Sequence, residues 1–546
     1  MTTPRTIRLR PAVHVAPVDG GLLFIGWRNR VLVTGPPALT TLWGALFPYL
    51  HAGVDPDALL DAVPSGAGAV VHRLLAELDD HGLVLRDFPG ADLPAEERRR
   101  FATTIDFLES AADDPLAAFH RLRALAVAVV GRGAAASTVT STLLESGVRR
   151  VVQASDPADA DAVDLVITID HLVRPPGAWI GVLLAGETAV VGPVARTADD
   201  PGLDDAVARH RALTGESLRP AITSPVVEAL AGNLAAYLAI CHAAGVVAGP
   251  AGHAYRVVTD GLEVTEHSVT RARTGPRAVA GLTPWQPAPD EQAALDTVHS
   301  PLCGLIPAPD PESLIQVPVG RFVVRGQAGL DVGSALVGSA ASWAARLAAI
   351  RRLVPQTPTE ATGSTDASAA RIVATGCGAD PESFARDAVR CLLCAEVTRE
   401  AGPDPDVFVA LDPPAEPSGF DIRLWALRRD PAAITVAVAE RAGRPLAVAA
   451  EPAPADAIAL AVRHAETRLL AGAVVDGVVR PVDLVPAEPR FPGSAPVPGD
   501  VVPSWSASAV ADLVAGPGEQ VRLLRWVGEP ALDGVAVCGW IEVGRR

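Results

Sequence analysis

No lysine occurs anywhere in the 546 residues, so all 46 basic side chains are arginine. That absence removes whole chemistries. A Walker P-loop needs its Gly-Lys-Ser/Thr, and Schiff-base and pyridoxal-phosphate enzymes need a lysine amine. The hydrolase signatures GxSxG and HExxH are also missing. Cysteine is scarce: six residues are scattered over positions 241 to 538, without the dense spacing of a secreted disulfide scaffold. A reducing cytoplasm fits this usage, and the opening MTTPRTIRLRP has no apolar signal core, so a cytoplasmic protein is expected. Positive charge is short as well. The net charge of −17 and pI near 5.2 argue against nucleic acid, whose binding requires a sizeable cationic surface.

What is present is 49% apolar and 20% charged residues, the mixture of globular proteins, in a chain long enough for three or four domains. Residues 229–252 carry no formal charge and need weighing as a membrane span. Asn233, His242, Gly245 and Pro250 interrupt them, which predicts a buried helix ending near Ala244 and no membrane partner.

The most informative segment is AVAVVGRGAAASTVTSTLLESGVRRVVQASD, Ala126 to Asp156. Ala126–Val130 has the β-branched content of a buried parallel strand, Gly131 and Gly133 permit a tight turn, and residues 137–146 have helical character. A dinucleotide fingerprint wants a third glycine near position 136, where Ala136 stands, and an acidic residue closing the next strand, a place Asp156 fills. Half a fingerprint leaves both readings open: a nucleotide turn, or a structural βα turn that binds nothing. Further buried strands are predicted at 163–169, 179–184 and 188–194, with a long helix over 225–244.

The first 87 residues form a self-contained pattern. Strand-like runs at 7–18, 21–27 and Arg30–Thr34 precede helical segments at 37–50, 55–62 and 68–81, and 83–86 closes as a strand. Strands followed by three helices predict a winged-helix-like α+β module, a shape that binds DNA or a peptide. The third helix offers Arg73, His72 and His81 against Glu77, Asp79 and Asp80, a poor match to DNA. If Arg30–Thr34 leaves one edge unpaired, that edge accepts an extended peptide as an extra strand. Beyond residue 300, helical stretches at 339–353, 381–401 and 455–470 alternate with strand-like 420–426 and 434–439, implying a second α/β or α+β unit. The six prolines of 486–503 predict irregular chain. Cys391-Leu-Leu-Cys394 is the single CxxC; it falls on a predicted helix without a second ligand pair, so structural cysteines are expected ahead of a metal or redox site. Asp156, Asp164 and Asp170 gather around the α/β strands, as a surplus of acid makes ordinary.

Residues 5–87, with RLRPAVHVAPVDGG and GLLFIGWRNRVLVTGP followed by three helices, resemble the PqqD-like recognition element that binds leaders of ribosomally made, modified peptides. Residues 120–250 resemble the ThiF-like, ubiquitin-activating-enzyme-like domain fused to it in the leader-binding partner of azoline-forming cyclodehydratases of thiopeptide and linear azole pathways. An active ThiF-like enzyme uses a glycine turn, an acidic residue, a lysine and commonly two CxxC pairs for zinc. Here Gly131, Gly133 and Asp156 remain, Pro157-Ala158-Asp159-Ala160 follows, and lysine and the cysteine pairs are gone. More faintly, residues 300–546 resemble a YcaO cyclodehydratase domain: HSPLCGLI at 299–306, DVGSALVGSAASWAARLAAIRR at 331–352, ALDPP at 410–414 and ADAIALAVRHAET at 455–467 are similar to its landmarks. Ala344, Ala345 and Arg346 stand where that family carries glutamates for magnesium-ATP, no ExxER motif remains, and the proline-rich ending is replaced by GWIEVGRR.

The expectation is an α/β multidomain protein: a PqqD-like element over 1–90, a linker helix over 91–119, a ThiF-like domain over 120–275 without an intact nucleotide site, a linker over 276–299 and a degenerate YcaO-like domain over 300–546. The resemblance implies a non-catalytic subunit with no cofactor, no metal and no catalytic residue, Gly131, Gly133 and Asp156 being vestigial. It would capture a precursor leader by strand addition and present the core peptide to a separate ATP-dependent YcaO enzyme that cyclises Cys, Ser or Thr, with a homodimer formed through the ThiF-like domain. Carried over by resemblance, the peptide-binding residues are Arg30, Val31, Leu32, Val33 and Thr34, facing Val71, Arg73, Leu74, Leu75 and Leu78. The alternatives are a complete fused cyclodehydratase with its own ATP-dependent activity, and an acidic winged-helix regulator.

Overall fold

A computed structural model describes residues 6–27, 29–61, 66–87, 93–157, 163–246, 252–258, 260–272, 277–280, 286, 288–310, 320–326, 329–335, 338–354, 372–398, 402–413, 419–470, 519–527, 529–532 and 534–545. The proline-rich 486–503 stretch lies outside them. The chain divides into two compact units, the first from residues 1–203 and 219–266, the second from 204–218 and 267–546.

The first unit opens with β1 (Thr6–Leu9), β2 (His14–Val18), β3 (Gly21–Ile25) and β4 (Arg30–Thr34), then α1 (Ala38–Ala52), α2 (Pro56–Asp61), α3 (Gly68–Asp80) and β5 (Val84–Asp87). The predicted run 7–18 is two strands, because a turn at Arg10 (Val13 N–H to Arg10 carbonyl, 3.1 Å) splits it. β1 pairs with β5, while β2, β3 and β4 form a separate antiparallel sheet in that order. Every second residue faces in: Leu22, Phe24, Val31 and Val33 meet Trp43 and Leu46 of α1 and Val71, Leu74 and Leu78 of α3 in one core. Each such burial contributes roughly 1.5–3 kcal/mol.

Helices α4 (Ala95–Arg100), α5 (Ala102–Ala111) and α6 (Pro115–Ala124) lead into β6 (Ala126–Val130), α7 (Ala134–Glu145), β7 (Arg150–Ala154), β8 (Leu165–Ile169), β9 (Ala178–Ala185) and β10 (Thr188–Ala195). After α8 (Leu203–Thr214), which belongs to the second unit from residue 204 on, come α9 (Pro225–Ala244), β11 (Gly252–Val258) and β12 (Val264–Val269), giving a seven-stranded sheet of order β12-β11-β10-β9-β8-β6-β7. β7, β6, β8 and β9 run parallel; the apolar sequences of β6, β8 and β9 are explained by burial on both faces, while β7, at the edge, is partly exposed. α9 is the one helix among the described residues long and apolar enough to cross a membrane. Pro225 stands in its first turn, Gly245 in the left-handed region (φ 72°) stops it, and its small residues pack on the sheet.

The second unit contains β13 (Arg277–Ala280), α10 (Glu291–Val298), the hairpin β14 (Gly320–Gly326) and β15 (Gly329–Ala335), α11 (Gly338–Leu353), β16 (Ile372–Gly378) and α12 (Pro381–Val397). It continues with β17 (Phe408–Leu411), β18 (Asp421–Leu427), β19 (Thr435–Arg441), β20 (Arg444–Glu451), α13 (Pro454–Leu470), β21 (Glu519–Val527) and β22 (Val537–Arg545). β17 to β20 form a meander, and β13-β21-β22-β16 a sheet joining distant segments. α12 begins with a reciprocal Asp380–Ser383 capping box and is buried along nearly its whole length, Cys391 and Cys394 included.

Candidate functional site

β4 ends its sheet, and its hydrogen-bonding pattern shows what it offers. The Gly26 N–H bonds the Asn29 carbonyl at 2.8 Å and the Gly35 N–H bonds the Gly20 carbonyl at 2.9 Å. In an antiparallel ladder, bonded and non-bonded pairs alternate. The pairs Phe24–Val31 and Leu22–Val33 are therefore the bonded ones, and Arg30, Leu32 and Thr34 direct their N–H and C=O groups to the open edge. Their side chains are exposed; Leu32, opposite Leu23, is 49% exposed. The hairpin carrying β4 is fixed at its tip, where the Asn29 amide donates to the His81 carbonyl that follows α3 (2.7 Å). Trp27 lies edge-on to Phe107 of α5, at 5.6 Å between ring centres, and Phe107 in turn meets Tyr237 of α9 at 5.9 Å.

The ten expected peptide-binding residues thus separate into two groups. Arg30, Leu32 and Thr34 lie at the open edge and Arg73 at the surface, with Leu75 half-buried. Val31, Val33, Val71, Leu74 and Leu78 are at most 8% exposed. Their expected contact with a peptide is corrected: these side chains are the module's own core and support the edge from behind. Elsewhere in this unit a concavity of 480 Å³ is lined by Arg8, Arg10, Arg86, Arg98, Asp79 and Glu109 among others. Arg8 and Arg98 pair there with the buried Glu109 at 2.5 and 3.2 Å, Arg86 with Asp79 at 2.6 Å, and Arg10 donates to the carbonyls of Glu109 and Ala112.

The glycine turn lies where β6 is flanked by β7 on one side and β8 on the other, the switch point at which open α/β sheets bind ligands. Gly131 (φ 129°) and Gly133 (φ 94°) have backbones only glycine adopts freely, and a Cβ on Gly131 would lie 2.9 Å from Ile169. The α7 N-terminus that follows is the place for a phosphate. There the Glu228 carboxylate, from the first turn of α9, accepts the Ala134 N–H at 3.1 Å. Asp170, in a left-handed conformation (φ 60°) at the end of β8, accepts the Leu184 N–H at 2.8 Å. Burial raises its pKa and the Glu228 charge adds to this, against the hydrogen bond from Leu184. Asp156 is exposed beyond β7. Sequence reasoning missed Glu228, since an acid in a helix's first turn reads as a response to that helix's own dipole.

In the second unit, Ala344 and Ala345 are buried and Arg346 lies over the Trp343 ring at 5.1 Å. The HSPLCGLI segment is a buried turn. The Gly304 N–H bonds the Ser300 carbonyl at 2.8 Å with no room for a Cβ, and His267 Nδ1 is 3.0 Å from Ser300 Oγ. His299 is held down to a pKa of about 4 by burial and by Arg346, against the carbonyls of Ile306 and Pro307. Among the described residues no three His, Cys, Asp or Glu side chains are grouped to hold a metal.

No protein-family model matches the chain. No curated protein matches it in sequence. Among solved structures, a heterocyclase in complex with substrate and cofactor aligns with a TM-score of 0.51, over 99% of this chain and 94% of that one, at 13% identity. This chain shares that heterocyclase's fold. Escherichia coli MccB with MccA-N7isoASN gives a TM-score of 0.37 at 15% identity, over 49% of this chain and 97% of that one. The same enzyme with ATP gives 0.37 at 14%, over 49% and 98%.

Proposed function

We propose that the chain binds the leader of a ribosomally synthesised precursor peptide by strand addition and presents the core to a separate ATP-dependent YcaO cyclodehydratase that forms azolines from Cys, Ser or Thr. The observation that carries this reading is the edge of β4, unpaired with another strand among the described residues, where Arg30, Leu32 and Thr34 turn their backbone groups outward. An added strand gains main-chain hydrogen bonds there, and Leu32 offers an apolar contact on one face. Tethering then does the work: a leader held on a short flexible connection keeps the core residues at about millimolar concentration near the partner's active site. As the resemblance implies, two copies pair through the ThiF-like region. The carboxylate on the α7 N-terminus and the buried Ala344 and Ala345 support a subunit that does not itself activate the peptide.

Titration of a fluorescent leader from a neighbouring precursor gene tests the reading, with wild type compared with Leu32→Pro. Proline there removes one outward donor and leaves the β3 ladder intact, so affinity is expected to fall at least tenfold while the fold persists; undiminished binding by the variant refutes addition at this edge. The second reading, a complete fused cyclodehydratase, is favoured by a fold likeness to a heterocyclase that spans nearly the whole chain. Leader-dependent ATP hydrolysis by the purified chain without a partner decides for it.

A further inference from the structure

We propose that Cys377 and Cys538, in the second unit, are a reversible disulfide site that locks β22 to β16. The two residues are direct cross-strand partners. The Cys377 N–H does not join the ladder: it donates to Asp387 Oδ2 of α12 at 2.8 Å, on the side of β16 away from β22. The pair is consequently a non-hydrogen-bonded one, the type in which Cα atoms approach to about 4.5 Å and side chains lie closest, inside the roughly 4.4–6.8 Å that a disulfide spans. The sulfurs are 2.7 Å apart. The alternative pairings are poorer. Cys391 and Cys394 stand three apart on one helix, where Cβ atoms are about 5–6 Å apart, beyond the roughly 3.5–4.5 Å a disulfide tolerates. Cys391 instead touches the Arg351 guanidinium at 3.4 Å, beside the buried Arg351–Asp387 ion pair.

The chemistry balances as thiol–disulfide exchange with a small disulfide such as oxidised glutathione. One cysteine thiolate displaces a glutathione thiolate and forms a mixed disulfide; the second attacks it, forming the Cys377–Cys538 bond and releasing the other glutathione. Two protein thiols are oxidised, one small disulfide is reduced to two thiols, and the two cysteine protons end on the released thiols. Both sulfurs are buried, at 0% and 2% exposure, and burial raises the Cys377 pKa, its neighbour Cys538 adding to this. Exchange is therefore expected to be slow in the closed fold and faster when β22 opens. Once formed, the bond closes a long loop and is shielded from reductant.

The test is a thiol count on the full-length protein. After incubation with oxidised glutathione in mild denaturant and refolding, alkylation in strong denaturant is expected to modify four of the six cysteines. The unmodified chain is expected to be about 2 Da lighter, from loss of two thiol hydrogens, with one non-reduced peptide pair joining Cys377 to Cys538. Dithiothreitol is expected to restore six alkylations and to lower the melting temperature by on the order of 5–10 °C. Six alkylations after oxidation, a bond mapped to Cys391 or Cys394, or a persistent glutathione adduct would each overturn the proposal. The primary readout uses the wild-type chain, so it does not depend on a variant folding.

Discussion

Glu228 occupies the position at the α7 N-terminus where a bound phosphate would sit, and a chain with its own anion on that helix dipole offers an incoming one a poor site. Replacing Glu228 by Ala is expected to cost about 1 kcal/mol of stability, read as a shifted denaturation midpoint at constant slope; no loss would show that the contact is incidental. His299 makes a second prediction at this scale. Its folded pKa of about 4 lies below the usual 6.5, so the unfolded chain binds the extra proton between those values. Its contribution is complete above pH 6.5 and lost as pH falls toward 4, amounting to up to about 3 kcal/mol. The stability difference between wild type and His299→Gln, measured by denaturation at pH 7.5 and 5, should shrink at the lower pH; a constant difference contradicts this. Single residues were the hardest feature to read from sequence. The spacing of Val71, Leu74 and Leu78 marks an apolar helix face, but whether a peptide or the module's own sheet covers that face depends on where Val31 and Val33 fold. Nothing local links Glu228 to a turn 95 positions earlier.

At the scale of elements, local periodicity was a good guide wherever one segment carried its own signal. The apolar β6, β8, β9 and β10, the helices α3 and α9, and the sequence β3–β4–α1 lie where alternation and capping residues place them. The strands β13, β16, β21 and β22 were not visible. Their partners are distant in sequence, as in Ala278 opposite Trp526 and Cys377 opposite Cys538, and a short strand without a nearby turn carries little signal of its own. α8 has no counterpart among the elements expected from sequence, although Asp204 and Asp205 in its first turn suit a helix N-terminus. β4 supplies the sharper prediction here. Leu32→Pro leaves the β3 ladder whole, whereas Val33→Pro breaks a bonded pair beside Leu22 and is expected to destabilise the module by about 3 kcal/mol or more, measured by thermal unfolding. Equal melting temperatures for the two variants would mean that the assigned alternation is wrong.

For the whole molecule, the likeness to a heterocyclase's fold extends over both units; within them a carboxylate lies at the glycine turn, Ala344 and Ala345 are buried in α11, and Arg351 pairs with Asp387. The proposed function is to hold a precursor peptide, at the edge of β4. Residue-resolved amide hydrogen exchange on the full chain, with and without leader peptide, tests this most directly. Leader is predicted to slow exchange at the amides of Arg30, Leu32 and Thr34 while Val31 and Val33, already bonded to β3, change little. Protection arising elsewhere, with these three amides unchanged, would contradict the account.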